Sequence, residues 1–93
     1  MTFDYTEFNK LCAGLIERGY NIRIQSIWSG RQVIIYDEQN QRQWDAVIHE
    51  SSYGRQDGLL EVYGTIIDKL GKYNDWSDTV VGYLSAEQIL EVC

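Results

Sequence analysis

The chain has 93 residues, of which 44% are hydrophobic and 13% aromatic, with a formal net charge of −6. This size and composition predict one globular domain, residues 1–93, with a single modest core and no disordered segment. No apolar run approaches the roughly 20 residues of a membrane-spanning helix, and the first residues lack the pattern of a signal peptide. We therefore expect a cytoplasmic protein that does not contact a membrane.

The charge is distributed unevenly. Residues 1–55 carry seven acidic and six basic side chains, whereas residues 56–93 carry seven acids and only Lys69 and Lys72. Direct nucleic-acid binding is not expected, because it needs a basic surface that replaces the counterions of the phosphates. The acidic part fits either a basic protein partner or solubility alone.

The first predicted element is an amphipathic helix. Asp4 and Glu7 are spaced as a capping box, and Gly19 stands where a helix would end. The apolar residues between them recur with helical spacing and predict a core-facing stripe, formed by Phe8, Leu11, Cys12, Leu15 and Ile16.

Residues 20–48 predict a three-stranded antiparallel meander. Ser29-Gly30 is the first predicted turn; Gln39-Asn40, or a four-residue loop over residues 38–41, is the second. This register places Ile35 opposite both Ile24 and Trp44, and strand alternation then sorts the side chains onto two faces. The core face, on which the first helix is expected to pack, holds Tyr20, Ile22, Ile24, Val33, Ile35, Trp44, Ala46 and Ile48. The second face holds Arg23, Gln25, Ile27, Gln32, Ile34, Tyr36, Gln43, Asp45 and Val47.

Two further helices and one strand are predicted after the meander. Apolar residues with helical spacing favour a second helix from Asp57 to Gly71, or one that ends at Gly64 with an extended segment behind it. Residues 79–84 are a candidate fourth strand at the sheet edge, and Ser85 with Gln88 forms a capping box for a final helix. The predicted fold class is α+β in the order α-β-β-β-α-β-α.

No residue pattern predicts catalysis, a cofactor or a metal site. His49 has no second histidine or paired cysteines at ligand spacing. Cys12 lies on an apolar helix stripe, which raises the pKa of a thiol and makes it a poor nucleophile. Cys12 and Cys93 are expected to be reduced. The sequence therefore predicts a protein without enzymatic activity.

Two surface features remain as candidate binding sites. One is the second sheet face, whose centre is more apolar than a solvated face needs, although partial cover by a later helix would explain this too. The other is an acidic segment with aromatic residues, a composition suited to anchoring an interface, although packing of Trp76 into the core is the alternative. The candidate binding residues are Arg23, Ile34, Tyr36, Asp45, Tyr73, Asp75, Trp76 and Asp78.

The stretches RQWDAVIHESSYGRQDGLLEVYG and VVGYLSAEQIL resemble small uncharacterised accessory proteins of phages and prophages of Gram-positive bacteria. The resemblance spans residues 19–90 and transfers no functional residue. It implies a mobile-element accessory protein inside a bacterial host cell. It also implies action through a host protein, including inhibition of a defence or nucleic-acid-processing protein.

The resulting hypothesis is a binding protein whose partner is a basic protein or a second copy of the chain, paired through Ile34 and Tyr36. The alternative is a small-molecule or nucleotide-binding protein. In that case Tyr53, Tyr73 or Trp76 stacks a base while Arg55 or Lys72 holds a phosphate.

Overall fold

A five-stranded antiparallel sheet, in which strands adjacent in sequence are neighbours, forms the centre of the fold. A computed structural model describes residues 3–74 and 79–93. The strands are β1 (Asn21–Ile27), β2 (Gly30–Tyr36), β3 (Arg42–Ile48), β4 (Leu60–Gly64) and β5 (Val80–Leu84). The helices are α1 (Thr6–Glu17), α2 (Ile67–Leu70) and α3 (Ala86–Val92), with 3₁₀ turns at Arg55–Asp57 and Gly71–Tyr73. The predicted α+β class with a central meander is confirmed.

Helix α1 begins and ends close to the predicted positions. The Asp4 carboxylate accepts a hydrogen bond from the Thr6 N–H at 2.9 Å, and Gly19 ends the helix with a φ of +80°. The predicted capping box is wrong, because Glu7 Oε1 accepts from the Ala86 N–H at the start of α3, 2.9 Å away. Ile16 is also not a core residue, since 61% of it is exposed. The buried stripe is Phe8, Leu11, Cys12 and Leu15.

The β1–β2 hairpin differs from the prediction by two residues in register. Ile24 pairs with Val33, and the two-residue loop is Trp28 and Ser29. Gly30 belongs to β2, where a Cβ would lie 1.8 Å from the Ile48 carbonyl oxygen, so this glycine permits close packing against β3. A shift of two residues leaves every side chain on its predicted face. The β2–β3 register agrees with the prediction, with Ile35 opposite Trp44 and an irregularity after Ile35.

Strand β4 replaces most of the predicted second helix. Leu60 and Val62 are fully buried, and Val62 pairs with Ala46 of β3. Gly64 has a φ of +126°, and a Cβ there would lie 2.6 Å from Trp44 Cα, so it fits the end of a strand packed on β3. Only α2, one turn long, is helical in the region between Gly64 and Gly71.

The last two elements agree with the prediction. β5 lies at the sheet edge beside β4. Ser85 caps α3: its side chain accepts from the Gln88 N–H, and the Gln88 side chain accepts from the Ser85 N–H in return. Leu84 and Ile89, which flank this capping box, are both fully buried.

The core lies between one face of the sheet, here called the helix face, and the helices. Its buried residues come from strands β2 to β5 and from all three helices, α1, α2 and α3. Edge strand β1 adds only the partly buried Ile22. The expectation that Tyr20 and Ile24 lie in the core is wrong, since they are 37% and 49% exposed. No helix within residues 3–74 and 79–93 is long and apolar enough to cross a membrane.

Candidate functional site

The second face of the sheet, here called the open face, has a buried polar row at its centre. Gln25 pairs with Gln32 across β1 and β2, and Gln25 Nε2 donates to Gln32 Oε1 at 2.6 Å. Gln32 Nε2 in turn donates to Asp45 Oδ2 on β3 at 2.7 Å. Arg42 lies 3.4 Å from the same carboxylate oxygen. Gln32 and Asp45 are only 5% and 6% exposed, so these hydrogen bonds satisfy groups that would be costly to leave unpaired.

Ile34 and Val47 flank this polar row. Both are buried, yet neither belongs to the hydrophobic core that the helices share with the helix face. The margins of the open face are accessible, at Arg23 on β1 and at Tyr63 on β4.

Three tyrosines are exposed on the open face. Tyr53, Tyr63 and Tyr83 are 55%, 51% and 54% exposed, and together they are called the tyrosine surface below. Tyr63 is on β4 opposite Val80, and the register between β4 and β5 shifts beyond Leu60. Because of this bulge, Gly82 and Tyr83 both lie opposite Glu61, on the side of the sheet away from buried Leu84.

The loop between β3 and β4 carries Tyr53 onto this surface. The Tyr53 N–H donates to Glu61 Oε2 at 2.7 Å, and the Tyr53 carbonyl oxygen accepts from the Tyr83 N–H at 3.2 Å. A Cβ on Gly82 would lie 2.3 Å from Tyr53 Cβ, so a glycine at this position is required for the approach. The bulge, the glycine and the loop together bring Tyr53 and Tyr83 side by side.

His49 forms hydrogen bonds that order the start of the same loop. Its Nδ1 accepts from the Ser51 N–H at 3.0 Å, and the Ser52 hydroxyl bonds both its N–H and its carbonyl oxygen. The Trp28 ring contacts the imidazole edge-on, with centroids 4.7 Å apart. Within residues 3–74 and 79–93, no group of three His, Cys, Asp or Glu side chains could hold a metal ion.

The predicted binding residues fall into three groups. Arg23, Ile34, Tyr36 and Asp45 share the open face, as predicted, but Ile34 and Asp45 are buried. Only Arg23 and Tyr36 therefore offer contact area. Tyr73 lies elsewhere, on the 3₁₀ turn after α2.

The second predicted feature, the acidic and aromatic segment, is described only at Tyr73. Its hydroxyl donates to Glu91 of α3, and this hydrogen bond raises the pKa of Tyr73 to about 12. Asp75, Trp76 and Asp78 lie outside the described residues.

The tyrosine surface was missed by the sequence analysis. Tyr63 was placed on a helix, and Tyr83 was one residue of a short edge strand with no predicted neighbour. One sequence signal could have revealed it: apolar Leu60 and Val62 alternate with Glu61 and Tyr63, which is the pattern of a strand with Tyr63 on its outer face.

A cavity of about 560 Å³ opens at the end of the sheet beside the Gly19 turn. Three aromatic residues, Tyr20, Tyr36 and Trp44, contribute to its wall, together with Arg18 and Lys69. Cys93 also lines it. Burial raises the pKa of the Cys93 thiol, and the nearby Arg18 and Lys69 charges act in the opposite direction.

Of the alternative base-stacking and phosphate-holding residues predicted for a nucleotide, Tyr73 and Lys72 lie together, with Lys72 Nζ 5.1 Å from the Tyr73 ring centroid. Trp76 lies outside the described residues. Both candidate cations have partners within the protein. Arg55 Nη1 donates to the Ser52 carbonyl oxygen at 2.9 Å. Lys72 Nζ lies 3.8 Å from Glu91 Oε1 on α3.

Comparison with protein-family models, with curated proteins and with solved structures found no match for this chain.

Proposed function

We propose that this protein is a non-enzymatic binding protein that docks on a partner through its tyrosine surface. The observation that carries the proposal is that Tyr53, Tyr63 and Tyr83 are each about half exposed on one sheet face. Tyrosine is well suited to such a role, because it offers a large rigid contact area and a polar tip at low conformational cost.

A basic protein is the partner that the charges favour. Glu61 lies among the three tyrosines, and residues 56–93, which build β4, β5 and α3, carry a net charge of −5. An acidic region beside an aromatic contact area would speed the encounter with a basic surface, while the tyrosines would supply the affinity.

A mobile-element accessory factor acting inside a bacterial host cell is the role proposed for this surface. The resemblance of residues 19–90 to phage and prophage accessory proteins, together with the acidic charge, motivates this role. Under this proposal the basic partner is a host protein, such as a defence or nucleic-acid-processing protein, and binding inhibits it.

Affinity capture from a Gram-positive bacterial lysate tests the proposal. The double variant Tyr53→Ala/Tyr63→Ala removes two rings of the surface and keeps the Cβ that packs over Gly82. Tyr20→Ala is the matched control, because Tyr20 is also exposed but points away from the open face. The wild type and the control should retain the same protein at low salt and less of it at high salt, whereas the double variant should lose it. Equal capture by all three proteins, or by none, would contradict the proposal.

The cavity beside the Gly19 turn favours a second function, the binding of a nucleotide-like molecule. Its volume lies within the range of small-molecule sites. Tyr20, the exposed aromatic residue of its wall, could stack a base, and Lys69 could hold a phosphate. Native mass spectrometry of protein taken from cells should then show retained ligand, and nucleotides should raise the Tm less in Lys69→Ala than in the wild type. An unliganded protein whose Tm no nucleotide changes would exclude this function.

A further inference from the structure

The two edges of the sheet differ in how their backbone groups are used. On β5, the Tyr83 N–H donates to the Tyr53 carbonyl oxygen, and the Gly82 carbonyl oxygen accepts from the Asn74 side chain. The bulge in this strand and the positive φ of Tyr83, +56°, further disrupt its regular pattern. These are devices that keep an edge strand from pairing with another chain.

The other edge, β1, has none of these devices. It is seven residues long, contains no proline and pairs with β2 through its whole length without a register shift. In the part of the chain that the structure describes, β2 is its only neighbour in the sheet. Its single charge, Arg23, lies on the open face and does not obstruct the helix face. A regular edge of this length is a template for an additional strand.

We propose that β1 pairs with β1 of a second copy, antiparallel and centred on Ile24, to form a two-fold symmetric dimer with a continuous ten-stranded sheet. This register is the one that pairs all seven residues of the strand. It places Ile24 opposite its own copy on the helix face. It also places Arg23 opposite Gln25 of the second copy, which avoids the opposition of two like charges. The two-fold symmetry closes the assembly at two subunits.

The exposure of Ile24 supports β1 of a second copy as the partner of this edge. Ile24 is 49% exposed at the middle of the strand, on a face where α1 and α3 cover the other strands. Pairing across the two-fold axis would bring two such isoleucines together and remove both from water.

The charge distribution also favours a second copy at this edge. Residues 18–36 contain Arg18, Arg23 and Arg31 and no acid, which gives +3 for this segment and −9 for the remainder of a chain of net −6. Two copies that meet along β1 keep their acidic β4, β5 and α3 regions at opposite ends of the assembly. Pairing through the β5 edge would instead bring these acidic regions together.

The mass in solution tests the dimer. Light scattering across a concentration series should give twice the 10.8 kDa of the chain. Ile24→Lys should give the monomer mass with an unchanged circular dichroism spectrum, because the side chain is half exposed in the monomer. Tyr63→Lys is the control with the same charge change, and it should remain dimeric. A monomeric wild type, or a dimer that Ile24→Lys leaves intact, would overturn the proposal.

Disulfide trapping tests the register. In a Cys93→Ser background, Ile24→Cys places two thiols opposite each other, with Cβ atoms about 5 Å apart. In Ile22→Cys, residue 22 lies opposite residue 26 of the second copy, so the two introduced thiols are four residues apart along the strands and separated by about 14 Å. Mild oxidation by dissolved O₂, catalysed by copper phenanthroline, passes the two electrons and two protons of the thiols to O₂. It should crosslink the first variant and leave the second monomeric on a denaturing gel. Equal crosslinking of both variants, or of Ile22→Cys alone, would contradict a two-fold axis at Ile24.

Discussion

On the helix face, Ile35 is part of the apolar core that the sheet shares with the helices, whereas Ile34 on the open face is buried outside that core. The helix face is entirely apolar at its centre, so its stability rests on apolar area removed from water. The open face instead buries Gln32 and Asp45, and its stability rests on their hydrogen bonds. The comparison shows that the centres of both faces are buried, one in an apolar core and the other around a hydrogen-bonded polar pair.

The largest expected effect is a difference between two adjacent isoleucines. Ile35→Ala should lower the free energy of unfolding by about 2–5 kcal/mol, because it leaves a cavity in a closed core. Ile34→Ala should cost at least about 1 kcal/mol less, because the surrounding strand side chains border solvent and can close over the gap. Denaturant unfolding measures both values. Equal losses would show that the open face is as closed as the helix face, and a loss below about 1 kcal/mol for Ile35→Ala would contradict the strand assignment.

A smaller effect is expected from the polar row. Asp45→Ala should cost about 1–3 kcal/mol, because it leaves the buried Gln32 amide without its acceptor. The exposed Arg42 charge should contribute little to this loss. Gln32→Ala combined with Asp45→Ala should cost less than the sum of the two single variants, since the second change then removes a group that is already unpaired. A double-mutant cycle measures this coupling, and strict additivity would show that the row does not stabilise the face.

The faces could be predicted from the sequence because side-chain alternation tolerates an error of two residues. The Ile24 pairing was wrong, yet Arg23, Ile34 and Asp45 were still placed together on the correct face. The Gly19 helix end and the Ser85 cap were likewise predictable, because they depend on local hydrogen bonds.

Strand β4 could not be predicted in the same way. Its leucine, valine and tyrosine fit the helical period as well as the alternating one. The strand forms because the edge of β3 at Ala46 and its neighbours is free to pair with it. The tyrosine surface depends on that choice and on the contact of Tyr53 with Gly82. Such long-range contacts leave no periodic signal in the sequence.

The smallest expected effect concerns Cys12 of α1, whose thiol lies in the core that covers the helix face. Burial raises the pKa of Cys12 from 9.0 to about 11, and the Arg31 charge offsets part of this rise. Two pKa units correspond to about 100-fold less thiolate at pH 8, so an aromatic disulfide reagent should modify exposed Cys93 rapidly and Cys12 only upon unfolding. Comparable rates for the two thiols would show that water reaches the helix face.

The same shift gives a pH dependence with a defined sign. Because the pKa of Cys12 is higher in the folded state, its contribution to stability is complete below about pH 9 and is lost as the pH rises through about 11. The wild type should therefore lose more free energy of unfolding than Cys12→Ala between these two pH values. Parallel losses in the two proteins would mean that the Cys12 thiol is not desolvated between α1 and the sheet, and that water reaches the core on the helix face.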